Sequence, residues 1–464
     1  MTHSTSAAQP SLGAQKLYYA AWRWHFYTGL IVLPFLAALA LTGMAMLWIA
    51  WIDGRDGERT AVLPQEHSMA VSAQAEAALS AIPGGDLRQY VAPRSDDLAA
   101  LFRVDHDGEA TMVAVDPYTA EVIETFPRRT GWYDFADALH GNLMLGVTGD
   151  RMLETAASLT LVLIATGLYM WWPKRIGWRK ATVPTVQPVS SRASWKSLHG
   201  VVGLWTSLFL AAFLISGLAW AGIWGGKMVQ AWSQFPAEKW DAVPLSDLTH
   251  AALDHDRREV PWALEQTPLP ASGSTAGTDG IRTGSVTIDT VDALARDIGF
   301  TGRYQMSLPQ TPTGVWTLSR DSMSTDSLDP TSDRTAHIDQ YSGKILADVR
   351  FEDYSWAGKA MAVGIALHMG TLGLWSVLAN TAICLGVLFL CASAVILWWK
   401  RRPAGAGRLA APPMPKELPV WRGALLVGLT VAMAFPMAGL ALLTVLLLDT
   451  VVLSQLPWLR ARLT

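Results

Sequence analysis

Trp22-Arg23-Trp24-His25-Phe26-Tyr27-Thr28-Gly29 opens an apolar run that reaches Thr42-Gly43, and Trp195-Lys196-Ser197-Leu198-His199-Gly200-Val201-Val202-Gly203 opens another that reaches Ser216-Gly217. The interval from His25 to Gly43 equals that from His199 to Gly217, 18 residues in each. Each half closes on a second His-Gly segment, Leu139-His140-Gly141-Asn142-Leu143-Met144-Leu145-Gly146 in the first and Leu367-His368-Met369-Gly370-Thr371-Leu372-Gly373 in the second. An apolar run follows each and ends in Trp171-Trp172-Pro173-Lys174-Arg175 or Trp398-Trp399-Lys400-Arg401-Arg402. The pattern is a two-helix unit present twice, and it brings four imidazoles.

Composition places this unit in a membrane. Of 464 residues, 51% are hydrophobic and 16% charged, and the mean hydropathy is +0.23, well on the apolar side for a chain of this length. Runs almost free of charge lie at about 26–51, 152–172, 201–224, 372–399 and 423–448, each long enough for a bilayer that takes about 20 residues to cross. A cleaved signal peptide does not account for the first run, which is about twice the usual 7–15-residue core and is copied in mid-chain. Membrane lipid is therefore an expected partner, and nucleic acid is not.

Basic residues give the expected orientation. Lys174, Arg175, Arg179, Lys180, Arg192 and Lys196 crowd the link between the second and third spans, and Lys400, Arg401, Arg402, Arg408, Lys416 and Arg422 follow the fourth. These links read as cytoplasmic, which puts the long segments on the opposite face, the periplasm of a bacterial inner-membrane protein, with the N-terminus inside. Many of the 22 tryptophans sit at span ends, as an interfacial belt requires. The only cysteines, Cys384 and Cys391, lie within the fourth span and read as packing residues without zinc or disulfide spacing.

The expected organisation is a disordered tail over 1–15, a first span over 16–51, an external module over 52–149 and a second span over 150–173. A cytoplasmic link over 174–195 leads to a third span over 196–224, a second external module over 225–371 and a fourth span over 372–400. A link over 401–419, an apolar stretch over 420–453 and a tail over 454–464 complete the chain. The stretch at 420–453 is too long for one straight span, since its roughly 34 residues make a helix of about 50 Å; with Pro436 in its middle it reads as either one kinked helix or a tight hairpin. The external segments read as small α/β modules: Met112–Val115, the turn Asp116-Pro117-Tyr118-Thr119-Ala120 and Glu121–Ile123 are matched by Ala336–Ile338, Asp339-Gln340-Tyr341-Ser342-Gly343 and Lys344–Leu346, a strand-turn-strand pattern with Gly343 at the position that asks for positive φ. The fold class is thus mainly α and polytopic, with four core transmembrane helices from a duplicated two-helix unit, a C-terminal apolar helix or hairpin, and two small external α/β modules.

The paired Asp-x-Tyr-[Ser/Thr]-[Gly/Ala] turns, the Arg-x-His entry to span one, the two Leu-His segments with glycine directly after or one residue on, and the Trp-Trp-x-[Lys/Arg]-Arg exits together resemble the PepSY-associated transmembrane family, over about residues 16–404. The resemblance implies a haem-binding inner-membrane oxidoreductase of the siderophore-reductase kind, with PepSY-like external modules, that reduces ferric complexes on the periplasmic side. The C-terminal 60 or so residues lie outside the resemblance.

An ionisable residue at a membrane helix is by default a functional hypothesis. Eighteen residues are five helical turns, so His25, Gly29 and Gly43 share one face, as do His199, Gly203 and Gly217; a flat macrocycle could lie on such a face because glycine removes the side chain that would meet it. Spans one and three enter from the same side, which sets His25 and His199 at one depth, where they could ligate one iron from both sides. The plainer alternative is that each His caps its helix and each Gly meets a neighbouring helix. His140 lies 31 residues before Trp171, roughly 46 Å along a straight helix and so outside the membrane. The expectation is therefore that 132–145 and 355–369 are short helices, broken at Gly146 with Gly149 and at Gly370 with Gly373, which fold toward the bundle and bring His140 and His368 to a second haem. Asp150 and Glu154 then suit the N-terminus of span two.

Two b-type haems with bis-imidazole ligation by His25, His140, His199 and His368 leave no open iron position, which suits electron transfer. Arg23, Arg192 and Lys196 could neutralise propionates, though they also serve as positive-inside anchors. His3, His67, His106, His250, His255 and His337 fall in polar segments and read as surface residues. No dinucleotide fingerprint or P-loop occurs, so electrons come from another molecule, a cytoplasmic or quinol-type donor, and go to a periplasmic acceptor of ferric-siderophore type. The rival expectation is a non-enzymatic membrane module whose external part binds a peptide or partner protein.

Overall fold

The computed structural model describes residues 12–173, 177–185, 188, 191–230, 242–254, 260–282, 284–402, 409, 411–412, 429–447 and 455. Most of the expected tail over 1–15, of the link over 401–419 and of the tail over 454–464 falls outside the described residues, as do His3 and His255. The chain divides into two compact units, one of residues 1–43, 139–225 and 381–464, the other of residues 44–138 and 226–380.

Apolar helices build the first unit. The candidate spans among the described residues are four, of 38, 26, 27 and 28 residues: they lie in α1 (Leu12–Ile52), α4 (Gly146–Trp171), α6 (Arg192–Leu218) and α9 (Leu374–Arg401), with the single turn α5 (Trp178–Ala181) between α4 and α6. Each exceeds the length that a hydrocarbon core requires, and the chain is a multi-pass membrane protein. The helix begins at Leu12, inside the stretch expected to be a tail. Val32, Leu36 and Ala40 of α1, Leu159 of α4, Val387 of α9 and Ala438 form one buried core, with Cys384 and Cys391 packed on it. Small residues let these helices approach closely where bulk apolar character alone gives no drive to associate in lipid. Leu30, Ile31, Leu208, Phe209 and Leu385 are exposed on a surface that lipid would cover.

Past α9, a helical stretch over 429–434 breaks at Phe435, and α10 (Pro436–Leu447) follows. A Cβ on Gly439 would stand 2.7 Å from the Ala432 Cβ. Seven residues along a straight helix are about 10 Å apart, so the chain doubles back at Phe435-Pro436. Proline cannot give the hydrogen bond that would continue the first piece, and Phe435 stacks on Trp224, rings 5.8 Å apart.

The second unit holds α2 (Val71–Ala81), β1 (Asp86–Val91), β2 (Ala100–His106), β3 (Glu109–Val115) and β4 (Val122–Pro127) from its first segment. Its second segment supplies β5 (Leu245–Thr249), β6 (Pro268–Pro270), α7 (Ile288–Asp297), β7 (Gln305–Ser307), β8 (Val315–Arg320), β9 (Arg334–Asp339), β10 (Ile345–Arg350) and α8 (Trp356–Met369). These are not two separate small modules. They join in one antiparallel sheet of eight strands, ordered β10-β9-β8-β7-β1-β2-β3-β4, with β5 and β6 paired apart from it. The reason lies at the centre: β1 and β7 would each end a four-stranded meander with an open row of backbone donors and acceptors, and they pair with each other instead, Tyr90 opposite Met306. Helices α2 and α7 pack together on one face, burying Ala78, Val104, Val113, Val291, Ala295, Leu318 and Ile338.

Turn chemistry agrees with the sequence. Asp339 accepts from the Tyr341 and Ser342 amides, and Gly343 takes φ 66°. In the matching turn Asp116 accepts from the Tyr118 amide, and Ala120 adopts φ 54° without the help of glycine.

Candidate functional site

Four spans converge on two imidazoles. His25 on α1 and His199 on α6 stand with ring centres 6.5 Å apart and planes 87° to one another. His25 Nδ1 lies 3.1 Å from the Leu163 carbonyl and 3.1 Å from the Thr166 hydroxyl, both on α4. His199 Nδ1 lies 2.7 Å from the Ser393 hydroxyl on α9. Both rings are half-buried, and among the described residues the nitrogen left uncommitted on each is Nε2. Two imidazoles that bind one metal from opposite sides, each bonded at about 2.0–2.1 Å, have ring centres about 6.3 Å apart. The observed spacing fits that arrangement, so His25 and His199 could hold a metal between them, and the expected pairing of spans one and three at one depth is what the helices produce.

His140 is brought into the bundle. Helix α3 (Trp132–Asn142) carries it, and Leu143, Met144 and Gly146 all take positive φ, at 54°, 57° and 56°, where the chain breaks before α4. Two non-glycine residues in that region make a costly turn, and its effect is to seat His140 Nδ1 2.9 Å from the Thr42 hydroxyl of α1. Thr42 is 17 residues beyond His25, roughly 25 Å along the helix axis. The bundle thus offers two levels, one at His25 with His199 and one at His140. His368 closes α8 in the second unit, where Asn380 donates to its carbonyl at 3.1 Å and Gly370, φ 70°, ends the helix.

The glycines divide by what they face. A Cβ on Gly43 would lie 3.2 Å from His140 Cε1, and one on Gly167 would lie 3.1 Å from His25 Cε1. Gly29 instead meets a Leu163 methyl at 3.6 Å and Gly203 a Leu390 methyl at 3.6 Å, ordinary helix packing. Gly217 is half-buried beside Ser216. Sequence reasoning named Gly43 for the face of its own helix; the structure gives it to a histidine of another. It missed Thr42, Thr166, Gly167 and Ser393, although the recurrence of Thr-Gly at 42–43 and 166–167 and of Ser-Gly at 216–217 was a visible signal.

Charged groups around the bundle have structural partners. Arg23 donates to the Pro412 carbonyl at 2.8 Å, and Arg401 lies over the Phe26 ring at 4.8 Å. Asp150 and Glu154 do not start α4, which begins at Gly146. Glu154, 2% exposed, accepts from the Ile223 and Trp224 amides, and Asp150 from the Gly222 amide. They satisfy amides at the start of the helical turn over Trp224–Val229, since the first N–H groups of a helix have no carbonyl within it to meet.

Two histidines expected at the surface are in the core of the second unit. His250 and His337 are both fully buried, with Nε2 atoms 2.9 Å apart. Segment 260–264 covers the second face of the sheet at β10, where Ala263 and Leu264 pack on Ala347 and Val349, so a polar residue alternating outward from β9 still meets protein. Burial lowers the His250 pKa to about 4 and, with the neighbouring ring, holds His337 well below its ordinary value. His67 and His106 are exposed, as expected.

Comparison with curated proteins gives no match. The model of the PepSY-associated TM region family matches residues 22–401, which takes in His25, His140, His199, His368, the whole eight-stranded sheet and most of the four candidate spans, and the chain therefore belongs to the PepSY-associated TM region family.

Proposed function

We propose that the chain is a haem b reductase of the bacterial inner membrane that passes electrons from a cytoplasmic or quinol donor to a periplasmic ferric complex of siderophore type. The observation that carries this reading is the His25–His199 pair, at a spacing of 6.5 Å. A pair of side chains is what haem requires, since its ring supplies the equatorial nitrogens. Bound between two imidazoles, haem would supply one-electron transfer with no open position for oxygen.

The chain's own residues hold and orient. Leu163, Thr166 and Ser393 anchor the far nitrogens of the two rings, the arrangement that fixes a ligating imidazole and tunes its basicity. His140, held by Thr42, is the bundle residue proposed for the second haem that the sequence repeat implies. The siderophore acceptor and the external PepSY-like character come from the family resemblance.

The test is the reduced-minus-oxidised spectrum of the purified protein with pyridine haemochrome stoichiometry, beside His140→Ala and His199→Ala. Two b-type haems per chain, one lost with each substitution, support the proposal. A folded wild-type protein without haem sinks it and favours an external domain that binds a peptide or partner protein.

A further inference from the structure

We infer that Thr42, Thr166 and Ser393 are positioning residues that fix the tautomer of His140, His25 and His199, and that at His25 and His199 this leaves the lone pair on Nε2 as the metal-binding atom. The metal-binding part rests on the haem reading; the tautomer assignment rests on the back-bonds of the hydroxyls and on the carbonyls beside His25 and His140.

Each hydroxyl has a carbonyl of its own helix within reach of its hydrogen. Thr166 donates to the Val162 carbonyl at 2.8 Å, Thr42 to the Ala38 carbonyl at 2.8 Å and Ser393 to the Leu390 carbonyl at 3.1 Å, the back-bond that a hydroxyl in a helix commonly makes. With its one hydrogen used, each oxygen can only accept. The imidazole nitrogen facing an oxygen so used carries the proton, which makes His25, His140 and His199 Nδ1–H tautomers, the assignment at His199 resting on the back-bond of Ser393. A carbonyl enforces the same assignment at His25, where Leu163 accepts beside Thr166, and at His140, where the Leu39 backbone takes part.

The local sequence is common to these seats. Leu39-Ala-Leu-Thr42-Gly43, Leu163-Ile-Ala-Thr166-Gly167 and Leu390-Cys-Ala-Ser393-Ala394 share [Leu]-x-x-[Ser/Thr]-[Gly/Ala]. Each element has a purpose: the hydroxyl accepts, the residue three before it can offer a carbonyl on the same rim, and the small residue that follows makes room for the ring. Phe213-Leu-Ile-Ser216-Gly217 is a related segment with phenylalanine in the leucine position, and its hydroxyl likewise reaches back, to the Ala212 carbonyl at 3.0 Å.

The experiment uses the full chain with ring-15N histidine in lipid nanodiscs, haem-free and haem-loaded. In the haem-free protein, 15N shifts are expected to report His25, His140 and His199 as Nδ1–H, the less common form of free histidine. Ser393→Ala removes the acceptor, so His199 is expected to lose that preference and its haem to be held about 10- to 100-fold more weakly with a raised midpoint potential. Ser393→Thr is expected to restore both. Thr166→Val, which keeps the shape, gives the same comparison at His25 with a smaller effect because Leu163 remains, and stands in if Ser393→Ala fails to fold. Nε2–H imidazoles in the wild type, or a Ser393→Ala protein with unchanged tautomer, affinity and potential, would overturn the inference. A wild type that never takes up haem defeats the functional reading instead, while the 15N pattern still decides the tautomers.

Discussion

His25 and His199 stand perpendicular at 6.5 Å, and neither is anchored by the helix of the other: His25 is tied to α4 and His199 to α9. The pair is therefore a junction of all four spans. One group held between the rings would make His25→Ala and His199→Ala remove the same haem. Each single variant and the double variant are expected to lose one equivalent by pyridine haemochrome, while His140→Ala removes a different one. Loss of two equivalents in the His25→Ala, His199→Ala double variant would show that the two rings serve separate groups.

Glycine substitutions separate ring seats from helix packing. Gly167→Ala puts a Cβ 3.1 Å from His25 Cε1, closer than unstrained contact, so the ring must shift by a few tenths of an ångström and haem retention is expected to fall several-fold. Gly43→Ala meets His140 in the same way, at 3.2 Å. Gly29→Ala and Gly203→Ala meet leucine methyls at 3.6 Å and are expected to keep haem, with a small gain in helix stability of about 0.5–1 kcal/mol. Equal haem loss at Gly29 and Gly167 would instead favour a macrocycle lying on the His25 face of α1.

The sequence carried the spans and one imidazole pair because both depend on local periodicity: apolar length fixes a span, and five whole turns put His25 and Gly43 on one face. It did not carry which helix a face meets, so Gly43 was assigned to its own helix's ligand surface when its neighbour is His140. Strand existence at 112–115 and 336–338 was likewise legible from alternation. The union of β1 with β7 was not, since it joins residues more than 200 positions apart through open edges that no local pattern marks. His337 misled for a related reason: alternation places it opposite Ala336 and Ile338, and only the covering segment at 260–264 makes that side an interior.

The His250–His337 pair gives the second unit an acid limit. His250 Nδ1 faces the Thr267 carbonyl at 2.7 Å and His337 Nδ1 the Thr317 hydroxyl at 3.0 Å, and both rings have pKa values depressed by burial. The unfolded chain binds protons near pH 6.5 that the folded chain refuses, so the contribution of the pair is fully present above that pH and is lost as pH falls toward about 4. Chemical denaturation is expected to show stability declining by up to about 1.4 kcal/mol per pH unit for each imidazole. The His250→Gln, His337→Gln double variant should flatten that slope; an unchanged slope would place the acid limit elsewhere.

Asp321 and Asp333 act in the opposite direction. Both are buried, 1% and 4% exposed, and burial together with a neighbouring carboxylate raises each above the ordinary 3.8. Asp333 shares a cavity with Ser322 and the buried hydroxyl of Tyr354. For carboxyls raised in this way, stability is fully present below about pH 4 and is lost as pH rises through the elevated values. Asp333→Asn keeps an oxygen for the Ser322 amide, which Asp333 now accepts at 2.9 Å, and removes the charge. It is expected to be more stable than wild type at pH 8 and no more stable at pH 4 by the same denaturation measurement. A variant weaker at both would mean that the ionised carboxylate is needed.

The seam of the sheet rests on few contacts and should be its weak line. Strand β7 has three residues, and its pairing with β1 comprises Gln89 with Ser307, Tyr90 with Met306 and Val91 with Gln305. Beside it, Arg303 bridges the two segments, donating to Glu58 at 2.8 Å and to Asp326 at 2.8 Å, all three nearly buried. Removing one partner from such a group leaves buried charge uncompensated, which costs about 3–5 kcal/mol, whereas Met306→Ala loses packing worth about 2–5 kcal/mol. Arg303→Met is therefore expected to be at least as damaging as Met306→Ala, although it keeps most of the side-chain volume. Adding Glu58→Gln to Arg303→Met should recover part of the loss, because one of the two stranded carboxylates is then neutral. A double-mutant cycle between Arg303 and Glu58 measures this directly, and a coupling near zero would mean that the segments are held by the strand pairing and the Tyr90–Met306 core alone.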